Sequence, residues 1–214
     1  SELLEVYRSG CVRKDLQELA CGRRIVLVRH GETMQHAEKM FIGQYDVPLN
    51  EKGRMQIAQS AEQLAADFAC PRVIYASDLS RAMESAEIIL RKFSEKNNEK
   101  YPEIVKAPGL REINLGKWDG QPVSRIKAEF PEEYRRRGED MFIFKTGNKS
   151  ENFYDLQYRA VKTLRKILEN DDSKEIIIVA HSGVIRALQN NLEGKRVNDE
   201  WTSVPKGGFV VIEQ

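Results

Sequence analysis

Two short aliphatic runs in this chain each end abruptly in a histidine. Ile25–Val28 leads into Arg29-His30-Gly31-Glu32-Thr33, and Glu175–Ala180, reading EIIIVA, leads into His181-Ser182-Gly183. Runs this brief and rich in Ile and Val read as strands buried on both faces. Strands of that kind need helices packed on each side of their sheet, which constrains the chain to an α/β fold. Polar residues just past the ends of such strands lie where open sheets place ligand sites. The whole chain holds only three histidines, His30, His36 and His181, and two of them stand at these ends.

The remaining pattern alternates in the same way. Asn50 is an N-cap candidate for a helix beginning near Glu51, with Met55, Ala58, Ala61, Leu64, Ala65 and Phe68 on its apolar stripe. Arg72–Ala76 reads as a strand, and Asp78 as the cap of a helix running to about Phe93. Ser94–Tyr101 reads as polar loop, and Ile104–Ala107 as a third strand. A helix is expected over Phe153–Leu168, another over Val184–Leu192, and a last strand over Gly208–Ile212. Between Leu110 and Lys149, Gly116, Gly120, Pro122, Pro131 and Gly138 break the pattern, as in a loop-rich cap over a site. The expectation is a three-layer α/β/α sandwich with a mostly parallel central sheet and a small loop-rich cap. Residues 1–22 read as a helical extension and 23–214 as the main domain. The extension could cover a sheet edge, pair subunits in a homodimer or dock a partner.

Composition narrows the partners. The net charge is +1, so no global field favours nucleic acid or an anionic membrane, and affinity for anions must be local. No apolar run approaches the roughly 20 residues that span a bilayer, and the N-terminus lacks the apolar block of a secretory signal. Cys11, Cys21 and Cys70 form no metal or redox spacing. Sparse, odd cysteines suit a reducing compartment, and a cytoplasmic location is expected.

Arginine beside two histidines at sheet ends suggests a phosphate pocket. A guanidinium offers a rigid fork of donors to phosphate oxygens, and a neutral imidazole is a competent nucleophile. The glycine after each histidine motif is expected to let backbone approach the ligand. Taken with Gly43-Gln44-Tyr45-Asp46-Val47-Pro48-Leu49, Ser77-Asp78-Leu79-Ser80-Arg81-Ala82, Leu110-Arg111-Glu112, Gly116-Lys117-Trp118-Asp119-Gly120 and His181-Ser182-Gly183-Val184, these residues resemble the histidine phosphatase superfamily, which includes cofactor-dependent phosphoglycerate mutases. The resemblance runs from about Arg24 to the C-terminus. It implies that His30 is the nucleophile, that Arg29, Arg81 and His181 hold the phosphate, and that Glu112 is proton donor and then base. It implies neither a metal nor another cofactor. His36, Gly43 and Ser182 are candidate substrate contacts.

The chain departs from the family pattern at two places. His36 stands where an asparagine is usual, and Met40 where an arginine is common. Losing an amide and a cation argues against a substrate that carries both carboxylate and phosphate. Lys39 or Lys117 could replace the charge. Specificity is expected from the cap, Gly120–Lys149, with Phe142, Phe144 and Arg137. Arg135-Arg136-Arg137 reads either as a solvated face or as an attractor of anionic substrate, and Trp118 as packing. The leading reading is a metal-independent phosphatase of a small phosphate ester, such as α-ribazole 5′-phosphate or a sugar phosphate. The alternatives are a phosphoglycerate mutase, whose enclosing insert is longer than the one here, and a weakly active phosphate-binding or scaffold protein. A zinc hydrolase using His30 and His36 fits no recognisable ligand spacing.

Overall fold

The structure is a computed structural model that describes residues 14–34, 37–97 and 102–214. Five strands form one sheet: β1 (Arg24–Arg29), β2 (Val73–Ala76), β3 (Glu103–Lys106), β4 (Glu175–Ala180) and β5 (Phe209–Glu213). Their order is β3-β2-β4-β1-β5, with only β5 antiparallel to its neighbour. Alternation along the strands assigns the two faces. Ile25, Leu27, Ile176 and Ile178 point into one core with helices α1 (Lys14–Ala20), α6 (Phe153–Asn170) and α7 (Ser182–Leu192). Val26, Val28, Ile177 and Val179 point into the other, against α2 (Glu51–Asp67) and α3 (Ser80–Asn97). These are the three expected layers, and each aliphatic side chain they bury contributes about 1.5–3 kcal/mol. Leu16 of α1 is part of the first core. Residues 1–13, the larger part of the expected helical extension, lie outside the described residues, as does His36. Among the described residues no helix is long and apolar enough to cross a membrane.

Local signals account for most boundaries. Asn50 caps α2 by accepting from the Gly53 N–H at 2.7 Å. Asn152 and Asp155 form a reciprocal capping box that starts α6. Met55 is not on the buried stripe of α2; it is exposed, and Ile57 is buried in its place. Asp78 is not a cap either. Its carboxylate grips Arg111 through two bonds of 2.7 and 2.6 Å, and the start of α3 is instead closed by Asp46, which accepts from the backbone and hydroxyl of Ser80. Helix α3 also runs on through Asn97, past the expected loop boundary.

The cap holds more regular structure than its glycines and prolines indicate. Two short helices occupy it, α4 (Val123–Glu129) and α5 (Pro131–Glu139), after a 3₁₀ turn at Gly116–Trp118. Only Ile126 is buried along α4, and no residue of α5 is, so neither helix carries a readable apolar stripe.

Candidate active site

Strand register brings the chemistry together. Arg29 pairs with Ala180 and Ala76 with Val179, so His30, His181 and Ser77 follow at one edge of the sheet. The segment after β3 delivers Glu112 to the same edge, and the start of α3 delivers Arg81. The imidazoles of His30 and His181 lie with ring centroids 5.1 Å apart, tilted by 58°.

His30 is oriented by its own turn. Its Nδ1 lies 2.7 Å from the Gly31 carbonyl oxygen. A carbonyl only accepts, so Nδ1 carries the hydrogen. Burial, and next the Arg81 guanidinium, pull the imidazole pKa from 6.5 to about 3. The ring is therefore neutral, with its lone pair on Nε2. His181 is fully buried, and burial followed by the charge of His30 holds it well below the usual histidine range. Its Nε2 is 2.8 Å from the Ser77 hydroxyl, while its Nδ1 meets no partner.

The arginines are held from behind. Arg81 is almost completely buried and donates to the carbonyls of Gly43 at 2.6 Å and Tyr45 at 3.0 Å. Arg29 donates one Nη to the Val204 carbonyl, and its buried Nε has no acceptor. Burial lowers the pKa of both guanidiniums, with Glu112 partly opposing. Glu112 is positioned by the backbone: Ile113 N–H donates to Oε1 at 3.0 Å and Gly183 N–H to Oε2 at 3.2 Å. Its own carbonyl accepts from Gln44 and Arg159.

Several expectations are revised. The two glycines are required by close packing within the protein: a Cβ on Gly31 would lie 2.3 Å from the Gly53 carbonyl oxygen, and one on Gly183, which also lines the cavity, would lie 2.6 Å from Glu112 Oε1. Gly43 engages both its backbone groups internally, with Arg81 and with Asp119. Lys117 is committed to Glu133 and to the Phe130 ring, so it does not replace the missing cation. Ser77, Asp119 and Arg159 were given no role by sequence reasoning. Arg159 joins the Gly109, Arg111 and Glu112 carbonyls to Glu151, and nothing in its local sequence marks it.

A cavity of about 420 Å³ opens beside Glu112 and Ser182. Phe41, Trp118, Tyr134 and Phe144 give it aromatic walls, and Arg137, Arg186 and Lys39 bring charge. Among the described residues, no three His, Cys, Asp or Glu side chains gather as metal ligands.

Paired imidazoles, two guanidiniums and a carboxyl at the ends of parallel strands define a site able to hold and transfer a phosphoryl group. The chain belongs to the histidine phosphatase superfamily (branch 1), whose model matches residues 25–213. It is a phosphatase of that superfamily, a phosphoric monoester hydrolase. It is 36% identical over 167 residues to phosphoglycerate mutase-like protein 4 of Arabidopsis thaliana, covering 77% of this chain and 68% of that one. It is 31% identical over 179 residues to a metal-independent phosphoserine phosphatase of the same organism, covering 81% and 72%. The α-ribazole phosphatase from Shigella flexneri superposes with a TM-score of 0.76 at 26% identity, covering 89% of this chain and 90% of that one.

Proposed function

We propose that the protein hydrolyses a small phosphorylated metabolite through a phosphohistidine on His30, without a metal. The observation that carries this is the His30 tautomer: Nδ1 is tied to the Gly31 carbonyl and the ring is neutral, so the Nε2 lone pair is free to attack phosphorus. Phosphoryl transfer needs positioning and charge stabilisation on the equatorial oxygens. Arg29 and Arg81 supply charge. His181 shares a hydrogen bond between Nε2 and the Ser77 hydroxyl, which fixes the ring beside His30 and leaves its Nδ1 without a partner in the protein. Glu112 protonates the leaving oxygen. The phosphorus passes from the ester oxygen to Nε2, and the alcohol departs with that proton. Glu112 then takes a proton from water, whose oxygen displaces Nε2 and releases inorganic phosphate.

The relatives support substrates with small leaving groups, among them α-ribazole 5′-phosphate and phosphoserine. The likeness to a phosphoglycerate mutase-like protein keeps a mutase as second reading. Turnover of 3-phosphoglycerate with 2,3-bisphosphoglycerate in excess of hydrolysis would favour it.

The test is release of nitrophenol from p-nitrophenyl phosphate in EDTA, with His30→Ala falling to background. Glu112→Gln should slow alkyl phosphates by about 10²–10⁴-fold and nitrophenyl phosphate far less, because nitrophenolate leaves without a proton. Equal losses on both substrates would contradict the acid role.

A further inference from the structure

A guanidinium carries five N–H donors in one rigid plane, and Arg159 commits all of them around the segment that bears Glu112. Its Nη1 donates to the Gly109 and Arg111 carbonyls at 2.8 Å each. Its Nη2 donates to the Glu112 carbonyl at 3.2 Å and to Glu151 Oε2 at 2.7 Å, and its Nε to Glu151 Oε1 at 2.8 Å. The backbone comes this close to α6 because Gly109 has no side chain: a Cβ there would overlap the Thr163 hydroxyl, one turn beyond Arg159. That hydroxyl donates to the Arg159 carbonyl at 2.8 Å. Glu151 completes the brace by exchanging backbone and side-chain bonds with Asn114, at 2.8 and 3.0 Å.

The consequence for Glu112 runs through a single peptide unit. The Glu112 carbonyl and the Ile113 N–H belong to one planar trans peptide, so they point in opposite directions. Arg159 Nη2 and Gln44 Nε2, the latter at 3.1 Å, both hold the carbonyl. The N–H on the far side of the same plane is thereby aimed at Glu112 Oε1, 3.0 Å away. Rotating this peptide would withdraw the N–H from the carboxyl group. The carboxyl would then keep only the Gly183 N–H on its other oxygen, a single bond about which it can pivot. The charge of Arg159 is also felt in the site: after burial, His30 and Arg81, it helps to hold the His181 imidazole below its ordinary range.

We infer that Arg159 is a positioning residue which, through the peptide between Glu112 and Ile113, sets the direction from which Glu112 delivers its proton, with Gln44 as its neutral partner. Arg159 has no donor left to offer a substrate, which separates its role from those of Arg29 and Arg81. This inference rests on the phosphatase reading above, in which Glu112 protonates the leaving oxygen.

The test is a double-mutant cycle read on two esters. Arg159→Met should slow an alkyl phosphate by about 10²-fold in kcat, as a displaced catalytic group does, and nitrophenyl phosphate at most several-fold. In a Glu112→Gln background the same substitution should slow both esters alike, because no acid remains to be misdirected. Gln44→Leu removes one donor and no charge, and should show the same preference at about fivefold. Equal losses on the two esters in both single variants, or a selective Arg159 effect undiminished by Glu112→Gln, would overturn the assignment. Hydrogen exchange supplies a readout that needs no turnover. The Ile113 amide should exchange at least about tenfold faster in Arg159→Met and in Gln44→Leu, with the amides of β1 and β4 unchanged. Unchanged exchange at Ile113 rejects the positioning role. Should Arg159→Met not fold, Gln44→Leu carries both measurements. If Glu112→Gln alone slows the two esters equally, the acid reading fails instead, and exchange at Ile113 then decides the positioning by itself.

Discussion

Gly183 has space for a hydrogen and nothing larger. A methyl group there would lie 2.6 Å from Glu112 Oε1 and 3.0 Å from Leu156 Cδ2. The Gly183 N–H also donates to the other carboxylate oxygen, so this one residue sets both the distance and the direction of Glu112. Gly183→Ala should push the carboxyl aside by a fraction of an ångström to an ångström. The expected result is a loss of about 10²-fold in kcat on alkyl phosphates, with a smaller loss on nitrophenyl phosphate. Steady-state rates on both esters check this. A uniform loss would mean that the glycine matters only for packing.

At the scale of elements, the loop 43–46 ties the site together. The Asp119 carboxylate accepts from three successive backbone N–H groups, those of Gly43 and Gln44 at 2.7 Å each and Tyr45 at 3.0 Å. The loop thus held turns the Gly43 and Tyr45 carbonyls to Arg81, the Gln44 amide to the Glu112 carbonyl, and Asp46 to the start of α3. Asp119 is a positioning residue for the cation and the carboxyl alike. Asp119→Ala should destabilise by about 1–3 kcal/mol, lowering Tm by about 3–10 °C. It should also raise KM for nitrophenyl phosphate and lower kcat together, as Arg81 loses its alignment. Asp119→Asn, which keeps an acceptor oxygen, should fall between. Calorimetry and steady-state kinetics on the same samples test the pairing of the two effects.

Across the whole molecule, the two buried imidazoles make the fold sensitive to acid. In the unfolded chain they take up protons near pH 6.5, whereas folded His30 does so only at about 3 and folded His181 well below the usual value. Between those limits the unfolded state binds more protons, so stability falls as pH drops from 6.5 towards 3 and is fully present above 6.5. The slope is at most about 1.4 kcal/mol per pH unit for each imidazole. Unfolding midpoints measured from pH 7 to 4 should decline, and His30→Gln should decline less. Inorganic phosphate, binding only the folded state, should offset part of the loss. A flat midpoint over this range would contradict the neutral, buried pair.

Much of the fold was legible because its signals are local. Apolar runs such as Ile25–Val28 and Ile176–Val179 announce central strands by themselves. The cap read at Asn50, three residues before the Gly53 N–H that it accepts from, is short-range as well. Helices α4 and α5 were hidden because they bury almost nothing. In the site, His30 and His181 stood out at strand ends, while Arg81 and Glu112 were found through family resemblance. Ser77 against His181, Asp119 against the loop, and Arg159 against Glu112 join residues 104, 74 to 76 and 47 positions apart. Residue type, spacing and the alternation of strands with helices along the chain were set by the sequence alone, since pattern and propensity act over a few residues. Which buried polar atoms remain unpaired among the described residues, as at Trp118 Nε1 and His181 Nδ1, was decided only by the folded structure. An orphaned group exists only once every other group has chosen its partner, and those choices are made by packing between distant segments.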